Sequence, residues 1–85
     1  MDTSLIQTEI QQYIQEELND GIGFALDINL IEEGLIDSMG VMSLIVFLEK
    51  RFEIEIELEE ITEENFRTLT LISTLVERSQ EDRVE

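Results

Sequence analysis

Apolar side chains recur at every fourth position near the start of the chain and predict an amphipathic helix over residues 4–18. The apolar stripe of this helix consists of Leu5, Ile6, Ile10, Tyr13, Ile14 and Leu18. Thr3 or Ser4 can cap the first turn, and the Asn-Asp-Gly sequence at 19–21 is typical of a helix end. We expect the stripe to pack into a core and to have no further role.

The next segment, residues 21–36, has no regular period. Its apolar side chains are Phe24, Leu26, Ile28, Leu30 and Ile31. This composition favours a long loop that places apolar side chains under the helices rather than a disordered linker. Loops of this length are uncommon in small domains and are usually functional.

A second helix, predicted over residues 38–51, has more apolar positions than one buried face needs. The spacing of a buried stripe is followed by Val41, Leu44, Ile45, Leu48 and Phe52. Met39, Met42 and Val46 form a second stripe, about 100° further round the helix. Either this helix is buried nearly all round, or the second stripe is an exposed docking strip. We favour the docking strip, because methionine side chains adapt to several partners.

The residues after this helix alternate strictly between apolar and acidic positions over 52–58. No other segment could pair with them as a strand, so we predict an extended connection with Ile54 and Ile56 directed inward. The seven glutamates within residues 53–64 form a solvated charged face by default, with a docking patch for basic partners as the alternative.

Two further helices are predicted near the end of the chain. Thr62 can cap a short helical turn that Phe66 anchors to the core, and Thr68 can cap a last helix that ends near residue 79. The buried stripe of the last helix is Leu69, Ile72, Leu75 and Val76. The prediction is one domain over residues 1–80, followed by a mobile charged tail at 81–85.

Composition excludes several classes of function. The 85 residues include no histidine and no cysteine, so a Ser-His-Asp set, a Cys-His set and the usual zinc ligands are all missing. Five basic and twenty-one acidic residues give a formal net charge of -16, which argues against nucleic acid and anionic membranes and favours basic protein surfaces. No apolar run is long enough to span a membrane. We expect a cytoplasmic monomer without a resident metal; a hydrolase with paired glutamates is the least favoured alternative.

Ser38 stands where the second helix begins. A serine at this position is usually only the helix cap. The same position also suits a phosphate ester, because the first-turn N–H groups and the helix dipole favour an anion. Asp37 could then hold a magnesium ion while such a group is transferred. The position alone leaves both interpretations open.

Residues 34–39, Gly-Leu-Ile-Asp-Ser-Met, precede an apolar helix and a Phe-x-Ile-x-Ile sequence that starts at Phe52. This combination resembles the phosphopantetheine attachment region of the acyl and peptidyl carrier proteins, whose signature is Asp-Ser-Leu or Asp-Ser-Met. Residues 65–69 are similar to the family's segment between its third and fourth helices, and the resemblance extends over residues 4–79. It implies an all-α fold, a small four-helix bundle of acyl-carrier type with a long first loop and a short third helix.

The resemblance also implies a function. A phosphopantetheinyl transferase would attach 4′-phosphopantetheine to Ser38, with Asp37 as the neighbouring motif residue. The arm's thiol would hold an acyl or aminoacyl group as a thioester, supplied by an adenylating or acyl-transferring enzyme and delivered to an acceptor enzyme. Partners would dock on Met39, Met42 and Val46, and the carrier itself would catalyse nothing.

Gly40 and Ser43 occupy positions where fatty-acid carriers typically have acidic residues after the serine. The apolar helix is more similar to that of free-standing peptidyl and D-alanyl carriers. We therefore expect an aminoacyl or specialised acyl cargo, used in nonribosomal peptide or polyketide biosynthesis or in amino-acid transfer. The alternative is a non-catalytic adaptor of the same fold that binds partners through its apolar strip and carries no arm.

Overall fold

The computed structural model describes residues 2–81, which contain helices and loops but no strand. The helices are α1 (Thr3–Tyr13), continued by a π-helical turn (Ile14–Leu18), α2 (Ser38–Phe52), α3 (Glu63–Phe66) and α4 (Leu69–Glu81). A 3₁₀ turn, Leu58–Glu60, lies between α2 and α3. This confirms the all-α bundle with a long first loop and a short third helix. Helix α4 includes residue 81; the rest of the predicted tail lies outside the described residues.

The core of the bundle is built from the predicted stripes. Its fully buried apolar side chains include Ile6, Ile10, Ile14, Leu44, Leu48, Leu69, Ile72, Leu75 and Val76. Burying one such side chain contributes about 1.5–3 kcal/mol to folding, so these positions dominate the stability of the domain. Helix α1 packs against α4, and α2 also contacts α4.

The residue that caps the first helix lies one position before the two predicted caps. Asp2 is the N-cap, and its side chain accepts a hydrogen bond from the N–H of Ser4 at 3.4 Å. The prediction of Thr3 or Ser4 as the cap is therefore wrong. The predicted helix end is confirmed, because Asp20 and Gly21 turn the chain with φ angles of 58° and 83° in the left-handed region.

The π-helical turn changes which residue faces the core after Ile14. The N–H of Asn19 donates to the carbonyl of Ile14 at 3.0 Å, a bond that spans five residues instead of four. The extra residue brings Asn19 onto the buried face and leaves Leu18 only half-buried. The four-residue spacing therefore predicts full burial as far as Ile14, and Leu18 packs against the core as predicted but is only half-buried. Leu5 is also exposed, in contrast to the prediction.

The long loop between α1 and α2 is fixed to the rest of the bundle. The N–H of Leu30 donates to the carbonyl of Arg67 at 2.6 Å, and the carbonyl of Leu26 accepts the N–H and the hydroxyl of Thr70, both at 3.3 Å. Leu30 is fully buried, which confirms that the loop contributes to the core. The side chain of Leu26, in contrast, is exposed. These bonds set the position at which α2 begins.

The connection after α2 follows the predicted alternation. Glu53, with φ of 54°, ends the helix, and Ile54 and Ile56 are buried as expected. The N–H of Ile56 donates to a carboxylate oxygen of Glu49 at 3.0 Å, which ties the extended segment to α2. The 3₁₀ turn that follows was not predicted.

The last two helices begin as the sequence predicts. Thr62 accepts the N–H of Asn65 at 3.3 Å and caps α3, whose Phe66 is buried. Thr68 accepts the N–H of Leu71 at 3.1 Å at the start of α4. Both threonines therefore act as the predicted caps.

The excess of negative charge leads to a first prediction. Ion pairs join Arg51 to Glu9 and Arg78 to Glu60, but five basic residues cannot neutralise twenty-one acidic ones. Raising sodium chloride from about 0.01 M to 1 M shortens the Debye length from about 30 Å to 3 Å and should weaken the self-repulsion. We expect the melting temperature, followed by circular dichroism, to rise over this range. A melting temperature that does not change with salt would contradict the prediction.

Candidate functional site

Asp37, not Ser38, caps the helix on which the candidate site is built. Its Oδ1 atom accepts the N–H of Gly40 at 2.7 Å, and its carbonyl accepts the N–H of Val41 at 2.9 Å. Asp37 therefore occupies the position that serine usually takes at a helix start. This decides against the interpretation of Ser38 as a simple cap.

Ser38 is left exposed at the first position of α2. Its hydroxyl has no hydrogen-bond partner within residues 2–81, and neither do the N–H groups of Ser38 and Met39. Unpaired N–H groups at the positive end of a helix dipole favour an anion. The geometry thus combines a free hydroxyl with donors that can stabilise a phosphate group attached to it.

Gly40 allows this arrangement of the cap. A Cβ atom at this buried position would lie 3.2 Å from Oδ1 of Asp37 and 3.8 Å from a methyl carbon of Leu18. A side chain at residue 40 would therefore press on the capping carboxylate. A residue larger than glycine at this position would require the Asp37 carboxylate to shift by a few tenths of an ångström.

The predicted docking strip is exposed. The solvent-exposed fractions of Met39, Met42 and Val46 are 80%, 57% and 51%. Leu44 and Leu48, on the same helix, are buried. Helix α2 is therefore not buried all round, and the alternative that it is central is wrong. Exposed apolar side chains on one face are typical of a contact surface.

A cavity of about 380 Å³ opens beside Ser38, between α2 and the segment that leads into α3. Val41 and Met42 form the α2 side, and Ile61 and Phe66 form much of the opposite side. Val41 packs against the core as predicted, but it is only half-buried. It lines this cavity, which places it between the core and the strip.

An aromatic cluster that the sequence analysis missed aligns α2 against α1. The rings of Tyr13 and Phe47 are stacked, with centroids 4.1 Å apart, and Phe47 meets Phe52 edge to face at 6.3 Å. The Tyr13 hydroxyl donates to the carbonyl of Ser43 at 3.3 Å. Burial, together with the Glu17 carboxylate, raises the pKa of Tyr13 above its usual value, so this donor stays protonated. The sequence shows aromatic residues at positions 13 and 47, but their spacing does not indicate that the two rings are in contact.

Within the part of the chain that the structure describes, no group of three or more acidic side chains could hold a metal ion. The magnesium contact of Asp37 during loading therefore stays a prediction. None of the helices formed by residues 2–81 is long and apolar enough to cross a membrane.

The fold and the site together define a class: a four-helix bundle that presents an exposed serine with a free hydroxyl at the start of a helix with an apolar outer strip. A family model described as the phosphopantetheine attachment site matches residues 8–76. The chain is 36% identical over 73 residues to a D-alanyl carrier protein of Streptococcus suis, a match that covers 85% of this chain and 92% of the relative. The D-alanyl carrier protein of Streptococcus sanguinis is 33% identical over 67 residues, covering 79% of this chain and 85% of the relative.

The chain therefore belongs to the phosphopantetheine-attachment family of carrier proteins. The prosthetic group is 4′-phosphopantetheine, and the function is to carry acyl or aminoacyl groups on it. Members of this family are typically not catalysts. The predicted family, fold and cofactor are all confirmed.

Proposed function

We propose that Ser38 is the residue to which the phosphopantetheine arm is attached. The observation that carries this proposal is the free hydroxyl of Ser38 at the first position of α2, with Asp37 in the capping role. The unpaired N–H groups of Ser38 and Met39 would stabilise the phosphate of the arm. When attached, the arm supplies a terminal thiol that holds the cargo as a thioester.

In the loading step, Ser38 Oγ forms a bond to the phosphorus of coenzyme A that bears the pantetheine. The bond from that phosphorus to the bridging oxygen breaks, and adenosine 3′,5′-bisphosphate leaves. The hydroxyl proton passes to a base of the phosphopantetheinyl transferase. Asp37 keeps one carboxylate oxygen on Gly40 and can offer the other to a magnesium ion that accompanies coenzyme A.

The cargo that we propose is an aminoacyl group. The two relatives described above are named D-alanyl carriers, and the first turns of α2 lack the acids at Gly40 and Ser43 that mark fatty-acid carriers. The names of the relatives support amino-acid transfer rather than peptide or polyketide assembly, and the missing acids argue against a fatty-acid cargo. An adenylating enzyme would load the arm and an acceptor enzyme would unload it, with the carrier acting as a non-catalytic cytoplasmic monomer.

These enzymes would dock on the strip formed by Met39, Met42 and Val46. A Met42→Glu chain should therefore be loaded by a phosphopantetheinyl transferase with a kcat/KM lowered about tenfold or more, because a charge would be buried in an apolar contact. Its melting temperature should be nearly unchanged, since Met42 is exposed. Thr74→Glu, which adds the same charge at an exposed position of α4, is the control. Unfolding of Met42→Glu, or equal losses in both variants, would contradict the docking role.

The proposal is tested by intact-mass measurement. The chain is incubated with coenzyme A and a broad-specificity phosphopantetheinyl transferase, and peptide mapping locates the modification. We expect the mass of one phosphopantetheine to be added, on the peptide that contains Ser38. No gain in mass would overturn the assignment and favour the adaptor of the same fold; a gain on another peptide would move the site.

A further inference from the structure

The π-helical turn Ile14–Leu18 places a polar side chain on a buried face, which costs stability. Asn19, the residue after the turn, is only 8% exposed. Its side-chain oxygen accepts the N–H of Ile22 at 3.0 Å, but its Nδ2 atom has no hydrogen-bond partner within residues 2–81. A buried amide group without a partner is unfavourable, and a regular α-helix would direct Leu18 to this face instead. Turns of this kind often occur at functional sites.

The same turn directs Leu18 away from the α1 stripe and towards the start of α2. Three groups surround the position that a Cβ atom would take at Gly40. They are a methyl carbon of Leu18 at 3.8 Å, Cβ of Ile36 at 3.5 Å and Oδ1 of Asp37 at 3.2 Å. Because glycine has no side chain, the Leu18 methyl group lies close to the backbone of the first turn of α2. Leu18 thus covers the side of Gly40 on which the capping carboxylate lies.

The hydrogen bond beside Leu18 is the one that sets the start of α2. The N–H of Gly40 donates to Oδ1 of Asp37 at 2.7 Å, and Ser38 lies between these two residues in the sequence. A hydrogen bond that is shielded from water is stronger than an exposed one, because the local dielectric constant is low. Loss of the Leu18 side chain would admit water beside Gly40 and let the Asp37 carboxylate move. The Ser38 hydroxyl would then lose its fixed position.

We propose that Leu18 is a positioning residue for the loading reaction, and that the π-helical turn gives it this role. This inference rests on the proposed attachment at Ser38. In the loading step the Ser38 oxygen must reach a phosphorus atom held by the transferase, and a misplacement of about 1 Å can lower the rate about a hundredfold. Leu18 acts through the cap, so its loss should lower kcat. Met42 and Val46 of the docking strip stay exposed on another face of α2, so KM should change little.

The test compares the kinetics with which a broad-specificity phosphopantetheinyl transferase loads the chain from coenzyme A. Leu18→Ala should lower kcat about tenfold and change KM less than about twofold. Leu71→Ala, which truncates a half-buried leucine of α4, is the matched control. Both substitutions should lower the melting temperature by similar amounts, but Leu71→Ala should keep the kcat of the parent chain. Leu18→Met, which refills the space, should restore at least about half of that kcat.

Hydrogen exchange of the Gly40 amide, followed by NMR, measures the strength of the cap without any enzyme. In Leu18→Ala this amide should exchange about tenfold faster than in the parent chain, because the cap opens locally. In Leu71→Ala its exchange should be unchanged. A role of Leu18 in overall stability alone would not produce this difference between the two variants.

An unchanged kcat in Leu18→Ala, or an equal loss in Leu71→Ala, would overturn the inference. A lowered kcat without faster exchange of the Gly40 amide would overturn it as well. So would unfolding of Leu18→Ala while Leu71→Ala stays folded, because Leu18 would then act through the stability of the core. Absence of mass gain on the parent chain would instead overturn the Ser38 assignment, whereas the exchange of the Gly40 amide would still show whether Leu18 holds the cap.

Discussion

A chain carrying Ser38→Ala should gain no mass when it is incubated with coenzyme A and a phosphopantetheinyl transferase. The substitution removes the only atom that forms the new bond to phosphorus and leaves the helix start unchanged, because Asp37 supplies the cap. Its free energy of unfolding should therefore change by less than about 0.5 kcal/mol. Loss of modification with retained stability would separate the chemistry of Ser38 from any structural role.

Ser43 provides the matched control for this experiment, since it is an exposed serine on the same helix. Ser43→Ala should be modified as completely as the parent chain. If Ser38→Ala still gains the arm, the attachment site lies elsewhere. If it loses about 1 kcal/mol or more of stability, then Ser38 contributes to the helix cap in solution.

Replacing Phe66 by alanine should destabilise the domain by about 3–5 kcal/mol, a large share of the total for a domain of this size. The Phe66 ring is buried and closes α3, a helix of four residues that cannot be stable by itself. Loss of the ring would leave a cavity and release α3 from the core. Because Phe66 also lines the cavity beside Ser38, loading should become slower in the same variant.

Chemical unfolding followed by circular dichroism measures this effect. Leu58→Ala is the control, because it truncates a large apolar side chain a few residues away that is exposed instead of buried. It should change the free energy of unfolding by less than about 0.5 kcal/mol. A loss below about 1 kcal/mol for Phe66→Ala would mean that α3 is not anchored through this ring.

The sequence predicts the buried faces of the helices well, because the core selects apolar side chains at fixed helical spacing. The stripe of α4, for example, is fully buried from Leu69 to Val76 as expected. The prediction is less accurate where the backbone departs from regular geometry. The π-helical turn brings Asn19 onto the buried face and leaves Leu18 half-buried against the core, and no pattern of side chains at 14–18 indicates the extra residue in that turn.

The sequence does not show which of several adjacent polar residues caps a helix. Asp37 and Ser38 are both good caps, and Asp2 competes with Thr3 and Ser4 in the same way, so composition alone could not decide. The structure decides through single hydrogen bonds, such as the one from Gly40 to Asp37. The spacing of apolar residues also does not predict that Leu58 is exposed, because this exposure follows from tertiary contacts of the neighbouring residues.

The bonds that fix the long loop also determine how the domain can open. Backbone hydrogen bonds from Leu30 to Arg67 and from Thr70 to Leu26 join the loop to the residue after α3 and to the first turn of α4. These bonds join parts of the chain about 40 residues apart in sequence, and both bonds must break before the loop can leave α4. We therefore expect the loop and the start of α4 to open as one cooperative unit, so that a disturbance at the start of α4 would reach the segment that leads into Ser38.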